Sequence, residues 1–301
     1  MIVTRRDRML TLVTQVEHGR VAGALARSWG NDLFAGPQPR EAVCIATAKH
    51  DEGWRAWDDR VLVNELARRP LHFLEIDAEE HVRLYRHGVK TVSLADVYAG
   101  VLVGMHWSGL YRGRWSSPST RGRLGKSRSI GASLDEVVDA EEHRWVDAKR
   151  RAWAVEEPRA DFEARLWHNF ELLQFWDLFS LYLCVTPEEP DAGALDAVPW
   201  GPQLGDLEHD ARPAILPPIR FGPWHRRSTL VVSVVGRATI CVDPWPFRTR
   251  EVTVEVEGKV IPDAEYDAAT SRRLVRATPP SVTTWTLRPL PATTIRGESD
   301  E

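Results

Sequence analysis

The sequence predicts a mainly α protein: a helical bundle carrying a small antiparallel β subdomain, α+β overall. Three observations predict it. Apolar residues recur at helical spacing in successive segments up to residue 185. A stretch rich in Pro, Asp and Gly follows. Beyond it come β-branched runs bounded by Gly, Pro or Asp, among them STLVVSVVG, ATICVD, REVTVEVEGKVI and TTWTLRPL. The expected organisation is a helical domain with an N-terminal β-hairpin over residues 1–187 and a Pro-rich linker over 188–218. A β subdomain over 219–291 and a tail over 292–301 follow.

The elements are justified in chain order. IVTRRDRMLTLVTQ reads as two short strands around the polar turn at Arg6–Arg8, and these strands can join the C-terminal ones. VEHGRVAGALARSW places His18, Val21, Ala22, Leu25 and Trp29 on one helical stripe. Pro39 suits the start of a second helix running to about His50. Asp77 is the expected N-cap of a helix over residues 77–89, and Ser93 that of another over 93–107. A Gly/Ser/Arg-rich loop over 116–133 precedes a charged amphipathic helix over 134–153. The last long helix, 161–185, carries one charged residue after Leu172, namely Asp177, so it reads as central and buried.

Composition narrows the function. At 43% hydrophobic and 27% charged residues, the chain has the balance of a soluble globular protein. A net charge of -4 gives no electrostatic footprint for a nucleic-acid partner. Cys44, Cys184 and Cys241 lie far apart in apolar segments, which reads as core thiols in a reducing compartment. No run has the ~20 apolar residues of a membrane span, and the N-terminus lacks a signal-peptide core. The expectation is a cytoplasmic protein without a membrane partner, its oligomeric state left open.

The chemistry lies in polar residues on apolar helices. A buried carboxylate without a partner costs several kcal/mol, so Asp177 requires a cation, hydrogen bonds or a proton. His18 sits on an apolar stripe, His50 and Asp51 close the second helix, and His106 ends the helix before GLYRG. Each alone is compatible with a satisfied core residue. Together they form an imidazole–carboxylate set of the kind that holds Mn, Fe, Co, Ni or Zn in a helical bundle.

The same residues resemble the HD superfamily of metal-dependent phosphohydrolases. EHGRVAGALA is similar to its first-histidine helix, ATAKHDEGW to its His-Asp helix end and LLQFWDLFSLYL to its closing-aspartate helix. More closely, the whole chain resembles an uncharacterised, mainly bacterial family, domain of unknown function 3891, to which DPWPF and WTLRPL also conform. The resemblance implies an HD-like helical bundle and one or two divalent transition-metal ions held by His18, His50, Asp51, His106 and Asp177. It implies catalytic roles for Asp51 and His106, with Asp51 bridging the ion to a second metal or to a water that attacks as hydroxide. The implied substrate is a small phosphorylated metabolite or nucleotide. HD-type di-iron oxygenases share the scaffold, and a non-catalytic metal-dependent small-ligand binding protein is a third reading.

The sequence departs from the superfamily at Glu52–Trp54, where many members have Ile-Gly-Lys, so the phosphate-binding Lys is absent. His81 and His87, in the interval where two-metal members carry a further histidine, read as solvent-facing helix residues. Trp54, Tyr111, Arg112 and Arg114 are the expected substrate contacts, arginine forks suiting phosphate oxygens and aromatic rings a base or sugar. Trp57, Trp107 and Trp115 flank the same region, and the basic loop RGRLGK is positioned to close over a phosphate.

Overall fold

The computed structural model describes residues 1–112, 131–193, 196–200 and 207–291. The chain opens with a hairpin, β1 (Ile2–Arg6) and β2 (Met9–Val13), and passes into α1 (Gln15–Ser28) and α2 (Arg40–Ala48). After a short helix α3 (Arg55–Asp58) and a small ribbon, β3 (Val63–Asn64) with β4 (Arg69–Pro70), come α4 (Ala78–Ala95) and α5 (Val97–Arg112). Two long helices follow, α6 (Gly131–Ala152) and α7 (Arg159–Val185). The remainder is strand-rich: β5 (Val198–Pro199), β6 (Ala214–Arg220), β7 (Arg227–Gly236), β8 (Thr239–Asp243), β9 (Val252–Pro262) and β10 (Ser281–Pro289), with α8 (Ala268–Ala277) before the last strand.

The expected mainly helical, HD-like bundle with a small β subdomain is corrected by the sheet. β1, β2, β9, β10, β8, β7, β6 and β5 join, in that order, into one eight-stranded sheet that curls into a half-barrel. Helix makes up 47% and strand 23%, too much strand for a helical bundle with an appendage. Nor is the sheet purely antiparallel, since β10 runs parallel to β8 and β5 to β6. The strands themselves are legible. Their joining across the chain is as expected, β2 pairing with β9 and Leu10 opposite Ile261, but the strand order and the closure into one sheet are not legible. Such non-local order has no local sequence signature.

In β9, Val252, Val254 and Val256 point inward while the residues between them are exposed. These valines share one apolar cluster with Trp285 and Leu287 of β10 and with Leu25, Phe175 and Phe179 of the helices. Trp29, at the end of α1, is the junction of the two layers. Its ring meets Phe175 and Trp176 of α7 at 5.3 and 5.6 Å, and Phe247 of the DPWPF segment at 5.5 Å.

As the sequence indicates, α7 is buried nearly all round between α1, α5 and the sheet. Asp77 caps α4, accepting from Glu80 N at 2.8 Å. Ser93 does not cap the next helix. It lies inside the last turn of α4, and Asp96 takes the role, accepting from Ala99 N at 2.8 Å. All three cysteines are free and buried. Among the described residues no helix is long and apolar enough to cross a membrane.

α1 and α2 cross closely. A Cβ on Gly23 would lie 2.5 Å from Ala48 Cβ, so only glycine permits this approach, which brings His18 beside His50. Gly23→Ala is therefore expected to destabilise the protein by about 1–3 kcal/mol of overpacking, against the ~1 kcal/mol that helix propensity favours Ala. Chemical denaturation measures the balance, and a more stable variant would contradict the crossing.

Candidate metal centre

Three helices and one helix end converge on a single point. Thr14 caps α1, its hydroxyl accepting from Glu17 N at 3.0 Å, and the first turn then directs Gln15 and His18 inward. His50 and Asp51 follow the end of α2, where the chain turns into a short 3-10 helix, Glu52–Trp54. Asp177 and Ser180, three apart on α7, share its inner face. His106 comes from α5. All five candidate ligands are buried, at most 5% exposed.

His18 Nε2 lies 2.7 Å from Asp177 Oδ1 and 3.1 Å from His50 Nε2, and His50 Nε2 lies 3.3 Å from the same Asp177 oxygen. Asp51 Oδ2 is 3.6 Å from His50 Nε2 and 3.8 Å from His18 Nε2. Donors each about 2.1 Å from one ion stand roughly 3.0–3.4 Å apart; the 3.1 and 3.3 Å separations match that spacing, the His18–Asp177 contact is shorter and the two Asp51 distances are longer. Two overlapping groups could hold a metal ion: His18, His50 and Asp51, and His50, His106 and Asp177.

The surrounding hydrogen bonds decide which nitrogens face the centre. His50 Nδ1 is 2.7 Å from the Thr47 carbonyl, which can only accept, so this nitrogen carries the proton. Ser180 Oγ donates to the Asp177 carbonyl at 2.8 Å and stands 2.7 Å from His18 Nδ1, which therefore donates to it. Both neutral imidazoles are left with Nε2 lone pairs aimed at each other and at a carboxylate oxygen. That arrangement requires a cation, whether a proton or a metal.

Electrostatics agree. Burial pushes His50 down, but Asp51 and Asp177 outweigh it and hold its pKa at about 9. Burial raises Asp177, yet hydrogen bonds from His18 and His50 win and keep it well below the ordinary carboxylate range. Asp51 is raised by burial, only partly offset by the two histidines. His106 is pushed down to about 3 by burial and the nearby His50 charge, so it is a neutral donor.

The expected substrate contacts fall in two groups. Trp54 is fully buried and packs on Trp57, Tyr85 and His81, while Trp107 stacks on Tyr85. Tyr111 is bonded to His81. The Arg112 guanidinium is engaged by Asp135, Asp139 and Glu142 of α6. Arg114, Trp115 and the RGRLGK loop lie outside the described residues.

His87 is exposed, as the sequence suggests, but His81 is a correction. It is buried against Trp54 and Tyr85, and burial lowers its pKa to about 3. Its i, i+4 partner Tyr85 was not singled out in the sequence, yet its hydroxyl donates to Asp51 Oδ1 at 2.8 Å. Gln15, which donates to Asp51 Oδ2 at 3.2 Å, and Thr47, whose carbonyl accepts from His50 Nδ1, also carry no mark in the sequence pattern. The available signal was the buried stripe of α4, where His81, Leu84, Tyr85, Gly88 and Val92 recur at helical spacing.

Fold and site together define a helix-and-sheet protein with a buried His/Asp centre that could hold a metal ion. Residues 1–263 match the family described as protein of unknown function (DUF3891), and the chain belongs to that family. The match supports the family part of the resemblance and does not extend to the HD superfamily. No curated protein and no solved structure matches the chain.

The His50 shift gives a pH prediction. Its pKa rises from 6.5 unfolded to about 9 folded, so the metal-free folded state binds more protons in that window. Stability from this group is full below pH 6.5 and is lost as pH rises to 9, on the order of 2–3 kcal/mol. A metal replaces the proton and removes the dependence. Melting temperatures at pH 6.5 and 9, in chelator and with excess metal, should show the loss in the metal-free protein alone. A metal-free melting temperature falling no more steeply than the metal-loaded one would contradict the assignment.

Proposed function

We propose that this protein is a metal-dependent phosphohydrolase or phosphodiesterase acting on a small phosphorylated metabolite or nucleotide. Its divalent transition metal is held by His18, His50, Asp51 and Asp177, with His106 as the fifth donor. The observation that carries the metal is the convergence of two imidazole Nε2 atoms on Asp177 Oδ1 while both Nδ1 protons are used elsewhere. The resemblance of the EHGRVAGALA, KHDEGW and FWDLF segments to the HD superfamily carries the reaction class.

When bound, the metal supplies Lewis acidity and lowers the pKa of a water in its field. The chain supplies the rest. Asp177, held ionised, fixes the charge of the centre. Asp51 is fixed by Gln15 on Oδ2 and Tyr85 on Oδ1, so that Oδ2 faces His18 and His50. His106, neutral, offers a lone pair near His50, their ring centroids 4.9 Å apart. Trp54 and Trp107 exclude water from behind the site. Arg112 meets a substrate phosphate only by exchanging its carboxylate partners on α6.

Burial favours a second reading. Ligands this enclosed also suit a non-catalytic metal-dependent protein that senses or binds a small ligand. Chelator-treated protein reloaded with Mn, Co or Ni is expected to hydrolyse p-nitrophenyl phosphate, its bis-ester or nucleoside monophosphates. Asp51→Asn should lower the rate at least ~100-fold. Metal binding without turnover across that panel would overturn the hydrolase in favour of the binding protein. Oxygen consumption by the iron-loaded form would instead favour an oxygenase.

A further inference from the structure

We propose that Tyr85 is a positioning residue that makes Asp51 a one-oxygen ligand and closes the centre at a single metal ion. The inference rests on the metal reading above and goes beyond it to the nuclearity of the site. A carboxylate that bridges two ions with one oxygen to each needs both oxygens turned toward metal, and a hydrogen bond to one of them competes with that mode. Here Oδ2 faces His18 and His50, while Oδ1 accepts the Tyr85 hydroxyl at 2.8 Å. Tyr85 is held in turn: it is buried, its ring stacks on Trp107 at 6.4 Å and meets Trp54 at 6.2 Å.

Two further observations point the same way. The two groups that could hold a metal share His50, and His50 has one nitrogen to give, because Nδ1 is committed to the Thr47 carbonyl. The two groups therefore overlap in one cage. His81, also on α4, belongs to neither group among the described residues. A di-iron chemistry would need two ions, and the overlapping groups among the described residues provide for one.

The test is metal stoichiometry with a spectroscopic readout. Wild-type protein titrated with Mn(II) should saturate at one ion per chain and give the six-line electron paramagnetic resonance of an isolated ion. Tyr85→Phe removes the hydroxyl and keeps the ring. It should weaken Mn(II) binding by about 10–100-fold, the usual effect of losing an outer-shell partner, and should alter the visible spectrum of the Co(II)-loaded protein. Two ions per wild-type chain, or a spin-coupled pair, would overturn the inference and leave the metal site standing. Unchanged affinity and Co(II) spectrum in Tyr85→Phe would remove the role of Tyr85. No bound ion at all would overturn the metal site itself, and this inference with it, a result distinct from failure to hydrolyse phosphate esters.

Discussion

Two imidazole nitrogens and one carboxylate oxygen, all within 3.3 Å of one another in a buried space, set the constraint on which the rest of the site depends. Lone pairs brought that close repel unless a positive charge lies among them. Removing one member of a buried charged group strands the others, at a cost of about 3–5 kcal/mol. The protein commits its outer hydrogen bonds to keep the constraint in force. Thr47 and Ser180 hold the two Nδ1 protons outward, while Gln15 and Tyr85 hold Asp51.

The fold exists around that point in a recognisable sense. The crossing of α1 and α2 at Gly23 and Ala48 sets the separation of His18 and His50. α7 brings Asp177 and Ser180 through the middle of the molecule, and an apolar sheath protects them from water. The half-barrel sheet closes the other side, packing Val254 and Val256 of β9 into the core that α1 and α7 share. The chain ends meet there, since β2 sits directly beside β9.

What the sequence discloses follows from the range of each interaction. The stripe holding His18, the charge-poor segment around Asp177 and the His-Asp pair after an apolar helix are local patterns, so these candidate residues can be picked out without a structure, and the fold brings them together. That the N-terminal strands can join the C-terminal ones is readable too, and β2 pairs with β9, but the single eight-stranded sheet and the parallel pairing of β8 with β10 are not, because they depend on strands distant in the chain. Tyr85 and His81 are hidden for a related reason. Their helix is amphipathic and reads as ordinary, and only its docking against α5 shows that its inner face meets Asp51 and Tyr111. Arg112 illustrates the opposite error: a cation beside a suspected site suggests phosphate, but its neighbours on α6 are three carboxylates.

The central claim is that His18 and His50 present Nε2 lone pairs to a metal. X-ray absorption at the metal edge, on protein loaded with one equivalent of Zn(II) or Co(II), tests it directly. The account predicts a mixed nitrogen and oxygen shell at about 2.0–2.2 Å with the outer-shell scattering of at least two imidazoles, reduced by one imidazole in His18→Ala. An all-oxygen shell indistinguishable from the hydrated ion would contradict it.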